Sequence, residues 1–419
     1  RRMFMISRDR LAAHFTAMER ITAESDKPGI FRLAFTDSDW EGRSLLMRWM
    51  EEAGLSLRTD AFGNVIGRRA GRDDTLPAVM FGSHGDSVPG GGNCDGVFGI
   101  LAAIEVMTSL KEDGFISDHP LEAVLFMCEE SSRFSAATLG SRAMCGKLSV
   151  TELHHLKDVD GAPLYDVLKN RGLDPEKIDD AAYTAPLKAF FEVHIEQGKV
   201  LEATHTPIGV VTGIAAPTRL RVRLHGHADH SGATPMDMRQ DGSCAAAEII
   251  LLVEKLAAAC KEPPAVGTVG VIQVSPGAMN VIPGEVTLGI DIRSISRETK
   301  DTVVRDLKAG IAAISERRHL PYDIKMLTDE SPVMIAPAVV NFLSQLCQEA
   351  GHSFRRMPSG AGHDAMHWAA RCPTGMLFIP CRGGISHNPA EYASLDDIVR
   401  GTHLLEAAVR RVSRRDFSF

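Results

Sequence analysis

Apolar positions recur along this chain with two periods. Leu11, Phe15, Met18 and Ile21 stand at helical spacing, which predicts an amphipathic helix over residues 8–24. A second helix is expected to begin near Thr36 to Ser38, where acidic residues fill the first turn, and to stop at Gly54. Residues 55–59 and 65–69 alternate as strands around the Gly63-Asn64 turn. The run from Leu76 to Phe81 is too short for a helix and breaks into glycine, so it predicts a buried strand. Residues 97–110 read as a long apolar helix and 121–128 as another short buried strand. Strands alternating with helices imply right-handed crossovers and a largely parallel sheet. Residues 147–185 read as helical and polar, and 187–193 as a strand again.

Then the pattern changes. Leu220, Val222 and Leu224 alternate with Arg219, Arg221 and Arg223, which describes a strand with one wet face. At a sheet edge such a strand would be able to pair with its mate across a two-fold axis. Helices over 242–259 and 297–318 and strands near 266–274 and 285–293 complete an α+β block. The first pattern resumes with a helix at 337–350, a strand at 374–379 and a helix at 395–412. The expected architecture is therefore α/β: a mostly parallel-sheet catalytic domain in two parts, 1–213 and 327–419, with a smaller α+β domain, 214–326, inserted between them.

Composition narrows the function classes. A chain of 419 residues exceeds what one core usually serves. A net charge of -8 without a Lys/Arg block gives no reason to expect nucleic acid. No apolar stretch reaches the ~18 residues needed to span a bilayer, so no membrane partner is expected. The N-terminus shows no basic-apolar-small leader. Eight cysteines lack any Cys-x-x-Cys pair and read as buried, reduced thiols of a cytoplasmic protein.

Candidate chemistry gathers where strands end, the usual place for sites in parallel sheets. The strand after Leu76 runs into Gly-Ser-His84-Gly-Asp86. Side chains two apart on an extended backbone share a face, so Asp86 can orient the His84 imidazole. A glycine-rich loop then carries Asp95 round toward the same place. Glu129-Glu130 follow the strand 121–128, and only where the chain leaves the sheet can both enter one site. That placement suits a metal ligand with a general base beside it. His194 and Gln197 lie in His-Ile-Glu-Gln-Gly, and His387 in Gly-Gly-Ile-Ser-His-Asn-Pro. Imidazoles and carboxylates suit zinc, cobalt, nickel or manganese, although spacing alone does not select these histidines from sixteen.

Taken together, these blocks, with Asp229-His230-Ser-Gly-Ala-Thr-Pro-Met and Asn280-Val-Ile-Pro-Gly, resemble the dinuclear-metal aminoacylase–carboxypeptidase superfamily. The resemblance is to its amidase branch, which holds N-carbamoyl-L-amino acid hydrolases, beta-ureidopropionase and allantoate amidohydrolase. His194 and the loop Ser359-Gly360-Ala361-Gly-His363-Asp364-Ala favour that branch over the peptidases. The resemblance implies two divalent ions per subunit, zinc by preference, with His84 and His194 on one, Glu130 and His387 on the other, and Asp95 bridging. It implies Glu129 as general base and His230 as donor to the developing oxyanion, and Asp86, beside His84, is counted with them among the catalytic residues. Gln197, Asn280, Arg293, Gly360 and Ala361 would meet a small carbamoyl or ureido substrate, with Arg293 gripping its carboxylate. The expected reaction converts an N-carbamoyl-L-amino acid to the amino acid, CO2 and ammonia, with allantoate hydrolysis as the alternative. A homodimer is implied, with the inserted domain serving as both pairing element and lid. Cys94 stands where relatives commonly have an aromatic residue. No role is assigned to it, to His363 or to Asp364.

Overall fold

The computed structural model describes residues 6–419. Among these, the chain divides into two compact units: one formed by the described residues up to Thr212 with Ile335–Met357 and Gly362–Phe419, the other by Gly213–Met334 with Pro358–Ala361. The strands in chain order are β1 (Ser56–Thr59), β2 (Val65–Arg69), β3 (Ala78–His84), β4 (Leu121–Phe126), β5 (Leu187–Ile195), β6 (Ile208–Ile214), β7 (Ala216–His225), β8 (Ala265–Ser275), β9 (Glu285–Ser294), β10 (Tyr322–Asp329), β11 (Val333–Met334), β12 (Phe354–Ser359) and β13 (Thr374–Ile379).

The larger sheet runs β1-β2-β4-β3-β5-β13-β6-β11, with β12 joined to β6. Its centre, β4-β3-β5-β13, is parallel, and antiparallel strands finish both sides. β3, β4 and β13 are buried along their whole length, as a strand covered on both faces requires. The helix Val97–Glu112 covers β3, β4 and β5 and also packs on Arg8–Glu19 and Leu395–Val412. Because the central strands are parallel, their carboxyl ends lie along one edge. His84 ends β3 opposite Phe126 of β4, and His194 near the end of β5 stands opposite Phe378 of β13. No described helix is long and apolar enough to cross a membrane.

Several elements differ from the sequence expectation. The first helix stops at Glu19 because the chain turns back there: Thr22 and Ala23 hydrogen-bond Phe31 instead of extending the ladder. β4 ends at Phe126, two residues early, and Cys128 then adopts φ +56°, which turns the chain out of the sheet just before Glu129-Glu130. Between 147 and 185 only short helices form, Val150–His155, Leu164–Asn170 and the 3-10 turn Pro175–Ala181, since turns at Gly161 and Gly172 interrupt them. Nor are the cysteines uniformly buried. All eight are free thiols, but Cys244 is exposed and Cys145 and Cys260 are half-buried.

The second unit holds an antiparallel sheet ordered β10-β7-β9-β8. Leu220, Val222 and Leu224 of β7 join Val286, Leu288, Ile290 and Ile292 of β9 in a core closed by helices Gly242–Ala259 and Arg297–Arg317. Arg221 and Arg223 keep the solvated face expected of them, while Arg219 pairs with Asp291 at 2.9 Å. The condition for this strand to pair across a two-fold axis is not met, because β7 is hydrogen-bonded on both sides, to β9 and β10. The edges are β10 and β8, and on β8 Val266, Val271, Ile272 and Val274 are exposed.

Candidate metal centre

Three side chains meet at the carboxyl ends of β3 and β5. His84 Nε2 lies 3.5 Å and His194 Nε2 3.1 Å from the same oxygen, Oδ1, of Asp95. The other oxygen, Oδ2, lies 3.2 Å from His387 Nε2, which is also 3.2 Å from Glu130 Oε1. Gly96 makes this possible. It takes φ +65°, and a Cβ there would fall 2.3 Å from the His84 ring. Asp95 therefore presents one oxygen to each of two donor groups, His84–Asp95–His194 and Asp95–Glu130–His387. Donors bound at about 2.0–2.1 Å in a tetrahedron stand about 3.3–3.4 Å apart. The observed spacings fit an ion in each group.

The electrostatics agree with that donor set. Burial disfavours a charged His84, yet Glu129, Asp86 and Asp95 raise its pKa well above the usual imidazole value. His194 is raised against burial by Asp95 and Glu192, and His387 is pushed up to about 11 by its bonds to Asp95 and Glu130. Asp95 is held well below the carboxylate range despite burial, by His194, His387 and His84. Glu129 moves the other way. Burial, with Glu130, Asp364 and Asp86 nearby, drives it well above the ordinary value against the opposing pull of His84. The pocket thus carries more negative charge than its imidazoles offset, which is the condition a divalent cation relieves. Glu129 belongs to neither donor group; its Oε2 lies 3.7 Å from His84 Nε2.

Asp86 does a different job from the one its spacing implies. His84 Nδ1 stands 3.1 Å from the backbone carbonyl of Asp86, closer than the 3.5 Å to the carboxylate. The carboxylate itself accepts the backbone N–H groups of Glu129 at 3.2 Å and Glu130 at 3.0 Å. It therefore fixes the turn on which both acidic side chains ride. Gln197, held at φ +57°, donates from Nε2 to Asp95 Oδ2 at 2.6 Å. Its Oε1 is buried with no hydrogen-bond partner among the described residues. Cys94 is buried, and desolvation pushes its thiol up to about 12, so it behaves as a space-filling group.

A third donor group, Glu192–His194–His363, is also buried. It fits an ion less well. Glu192 already accepts the Ser83 hydroxyl at 2.7 Å and the Ala365 N–H at 3.0 Å, and His194 Nδ1 faces the Ile195 carbonyl at 3.0 Å. His363 packs edge-on to the His194 ring, 4.6 Å between centroids. Asp364 accepts the Ser141 hydroxyl. The sequence flagged both His363 and Asp364 without a role, and their place is in this buried support. It missed Glu192 and Glu391, single acidic residues just outside the His194 and His387 motifs.

The remaining candidates lie in the second unit. His230 is exposed, and its Nδ1 accepts the N–H groups of Gly232 and Ala233 at 3.1 and 3.2 Å. A neutral ring so held carries its proton on Nε2, which has no partner among the described residues. Asn280 is exposed and accepts the Ser231 N–H with its backbone carbonyl. Arg293 is half-buried. Asp291 holds its Nε at 2.8 Å and Nη2 at 3.3 Å, and Nη1 donates to the Gly360 carbonyl at 3.0 Å. Ala361 follows, with its N–H on Ser359 Oγ.

The family model described as peptidase family M20/M25/M40 matches residues 74–411. The chain belongs to this family. As an M20 protein it is a hydrolase of amide C–N bonds, in a family that depends on a dinuclear metal centre. An N-carbamoyl-L-amino-acid amidohydrolase of Pseudomonas sp. (strain NS671) is 41% identical over 407 residues, 96% of this chain and 98% of that one. An allantoate deiminase of Arabidopsis thaliana is 38% identical over 396 residues, 86% of this chain and 75% of the relative. The crystal structure of an amidase of the hydantoinase/carbamoylase family from Burkholderia multivorans has a TM-score of 0.90 at 36% identity, covering 98% of each chain. The resemblance to the amidase branch of the M20 family, and the mixed α/β fold expected from it, are both borne out.

Proposed function

We propose that this M20 protein removes the carbamoyl group of N-carbamoyl-L-amino acids, releasing the amino acid, CO2 and ammonia. The observation that carries the proposal is the two-sided Asp95, each oxygen turned to its own set of donors. The similarity to carbamoyl-amino acid amidohydrolases supplies the substrate class.

The residues divide the work. His84 and His194 would hold one divalent ion and Glu130 and His387 the other, with Asp95 shared between the two groups; zinc suits the N/O set, as do manganese, cobalt and nickel. Such a pair, when bound, polarises a carbonyl and acidifies water. Glu129 takes up the proton at a carboxylate oxygen and returns it to the leaving nitrogen. Its raised pKa, set by burial and neighbouring carboxylates, brings the group toward the operating pH. Asp86 keeps that carboxylate and the Glu130 ligand in register through two N–H bonds. His230, with its proton on Nε2, is the donor for a developing oxyanion. Arg293, squared up by Asp291 and the Gly360 carbonyl, meets the substrate carboxylate, and Ala361, Asn280 and Gln197 are its neighbours in recognition. The orphaned Gln197 Oε1 suits a ureido N–H.

We further propose a cytoplasmic homodimer paired through the inserted domain. Free thiols throughout support the compartment, and the exposed apolar edge of β8 supports the pairing. The deciding experiment assays N-carbamoyl-L-amino acids, allantoate and N-acyl-L-amino acids side by side with Zn2+, Mn2+, Co2+ and Ni2+. Carbamoyl substrates are expected to give the highest kcat/KM. Preference for allantoate, the second reading favoured by the Arabidopsis deiminase, overturns the assignment.

A further inference from the structure

Glu391 lies in the loop after β13, five residues beyond Ser386, and belongs to no donor group, yet it is buried, with 8% exposed. Its Oε1 accepts two consecutive N–H groups, Cys94 at 2.9 Å and Asp95 at 3.0 Å. Its Oε2 takes the hydroxyl of Ser386 at 2.8 Å, and that same hydroxyl oxygen stands 3.0 Å from Asp95 Oδ2. Gly92 leaves room for this arrangement, since a Cβ there would fall 2.3 Å from both Cβ and Oε1 of Glu391. One carboxylate thus clamps the peptide that carries Asp95 to the residue that precedes His387.

We propose that Glu391 is a positioning residue for the ion held by Asp95, Glu130 and His387, and that its loss weakens this ion while leaving the His84–Asp95–His194 ion nearly unchanged. The selectivity follows from how the ligands are supported. His84 and His194 sit within β3 and β5, with their backbones in parallel ladders, His84 opposite Phe126 of β4 and His194 opposite Phe378 of β13. His387 has no such support. Its side chain is 49% exposed, its backbone sits at φ +54°, and it lies in the loop after β13. The Ser386–Glu391 bond closes that loop on itself, and the two N–H bonds tie it to the Asp95 turn. Without them the loop has more conformations to lose when an ion binds. Partners that orient metal ligands in this way are typically worth about 10–100-fold in affinity.

This inference rests on the dinuclear reading above, and the test separates the two. Metal-free protein is titrated with Co2+, following heat and the visible ligand-field bands. The wild type is expected to take two ions. Glu391→Ala should bind one ion within about threefold of wild type and the other about 10–100-fold more weakly. Glu391→Gln, whose amide oxygen can still accept both N–H groups, should recover most of the loss. Ser386→Ala should show the same selective weakening to a smaller degree, and it carries the test if Glu391→Ala does not fold. Equal weakening of both ions, or no weakening of either, overturns the role of Glu391. A wild type that takes fewer than two ions overturns the dinuclear reading instead.

Discussion

His84 is 1% exposed and each of its ring nitrogens has a neighbour within 3.5 Å, whereas His230 stands at the surface of the other unit with Nε2 unpartnered among the described residues. The contrast extends to their surroundings. The sheet unit buries Asp86, Asp95, Glu129, Glu130 and His194 together, so every charge there is fixed by others. In the 213–334 unit the candidates are exposed or half-buried and are held by one or two local bonds each. Buried, mutually fixed groups suit chemistry that needs a preorganised field. Exposed donors with one hand occupied suit recognition of something that arrives from solvent. The two regions are therefore expected to fail in different ways when altered.

The largest effect is expected from the metals themselves. Removal by chelator should abolish turnover and re-addition of a divalent ion should restore it; chelator-resistant turnover would remove the buried cluster from the chemistry. Glu129→Gln should keep two ions, measured by metal analysis, and lose at least about 10² in kcat. Substitution in the exposed set should leave metal content untouched. His230→Ala is expected to lower kcat by about 10², the range for one oxyanion donor. Its retention of full kcat would reduce His230 to a loop residue. Arg293→Lys should raise KM about tenfold on the acid substrate, because an ammonium does not replace a planar fork, and change little on the carboxyl ester. Equal losses on acid and ester would make Arg293 a structural partner of Asp291.

The smallest effect concerns acid stability. His367 donates to Thr138 Oγ1 at 2.8 Å, and the Thr138 N–H is bonded to the carbonyl of Glu129. Desolvation, with Lys147 and Arg142 nearby, lowers its pKa to about 3. A histidine depressed in the folded state binds its proton more readily when unfolded. Its stabilising contribution is therefore complete above about pH 6.5 and is lost as pH falls from there toward 3, at no more than about 1.4 kcal/mol per pH unit. His367→Phe should flatten urea-unfolding stability over that window. An unchanged pH dependence would show that His367 does not set it.

The sequence made the buried half of this comparison easier to read than its supports. Apolar runs of strand length are distinctive, so β3 and β13 and the helix Leu395–Val412 were legible, and so were His84 at the end of β3 and Glu130 and His387 in the loops that follow strands. β6 and β10 were not. The first is broken by Gly209 and Gly213, and the second shows mostly exposed positions with no dry face to count. Supporting roles were equally silent. Asp86 was noticed for its spacing to His84, but its bonds run to a backbone 43 and 44 residues away, which no local pattern encodes. The position of β7 inside its sheet was also hidden, because arginines on one face say nothing of what lies at either edge.

The join between β6 and β11 bears on the history of the chain. Gly213 pairs with Met334 and Ile214 with Val333, so the inserted segment leaves and returns through neighbouring antiparallel strands. A segment whose two ends are adjacent is a cassette. It can be gained, lost or exchanged at the cost of one hairpin turn, without re-threading the parallel strands that end near His84 and His194. Such a junction lets the exposed side chains of the inserted segment diversify as a block while the buried cluster is inherited intact.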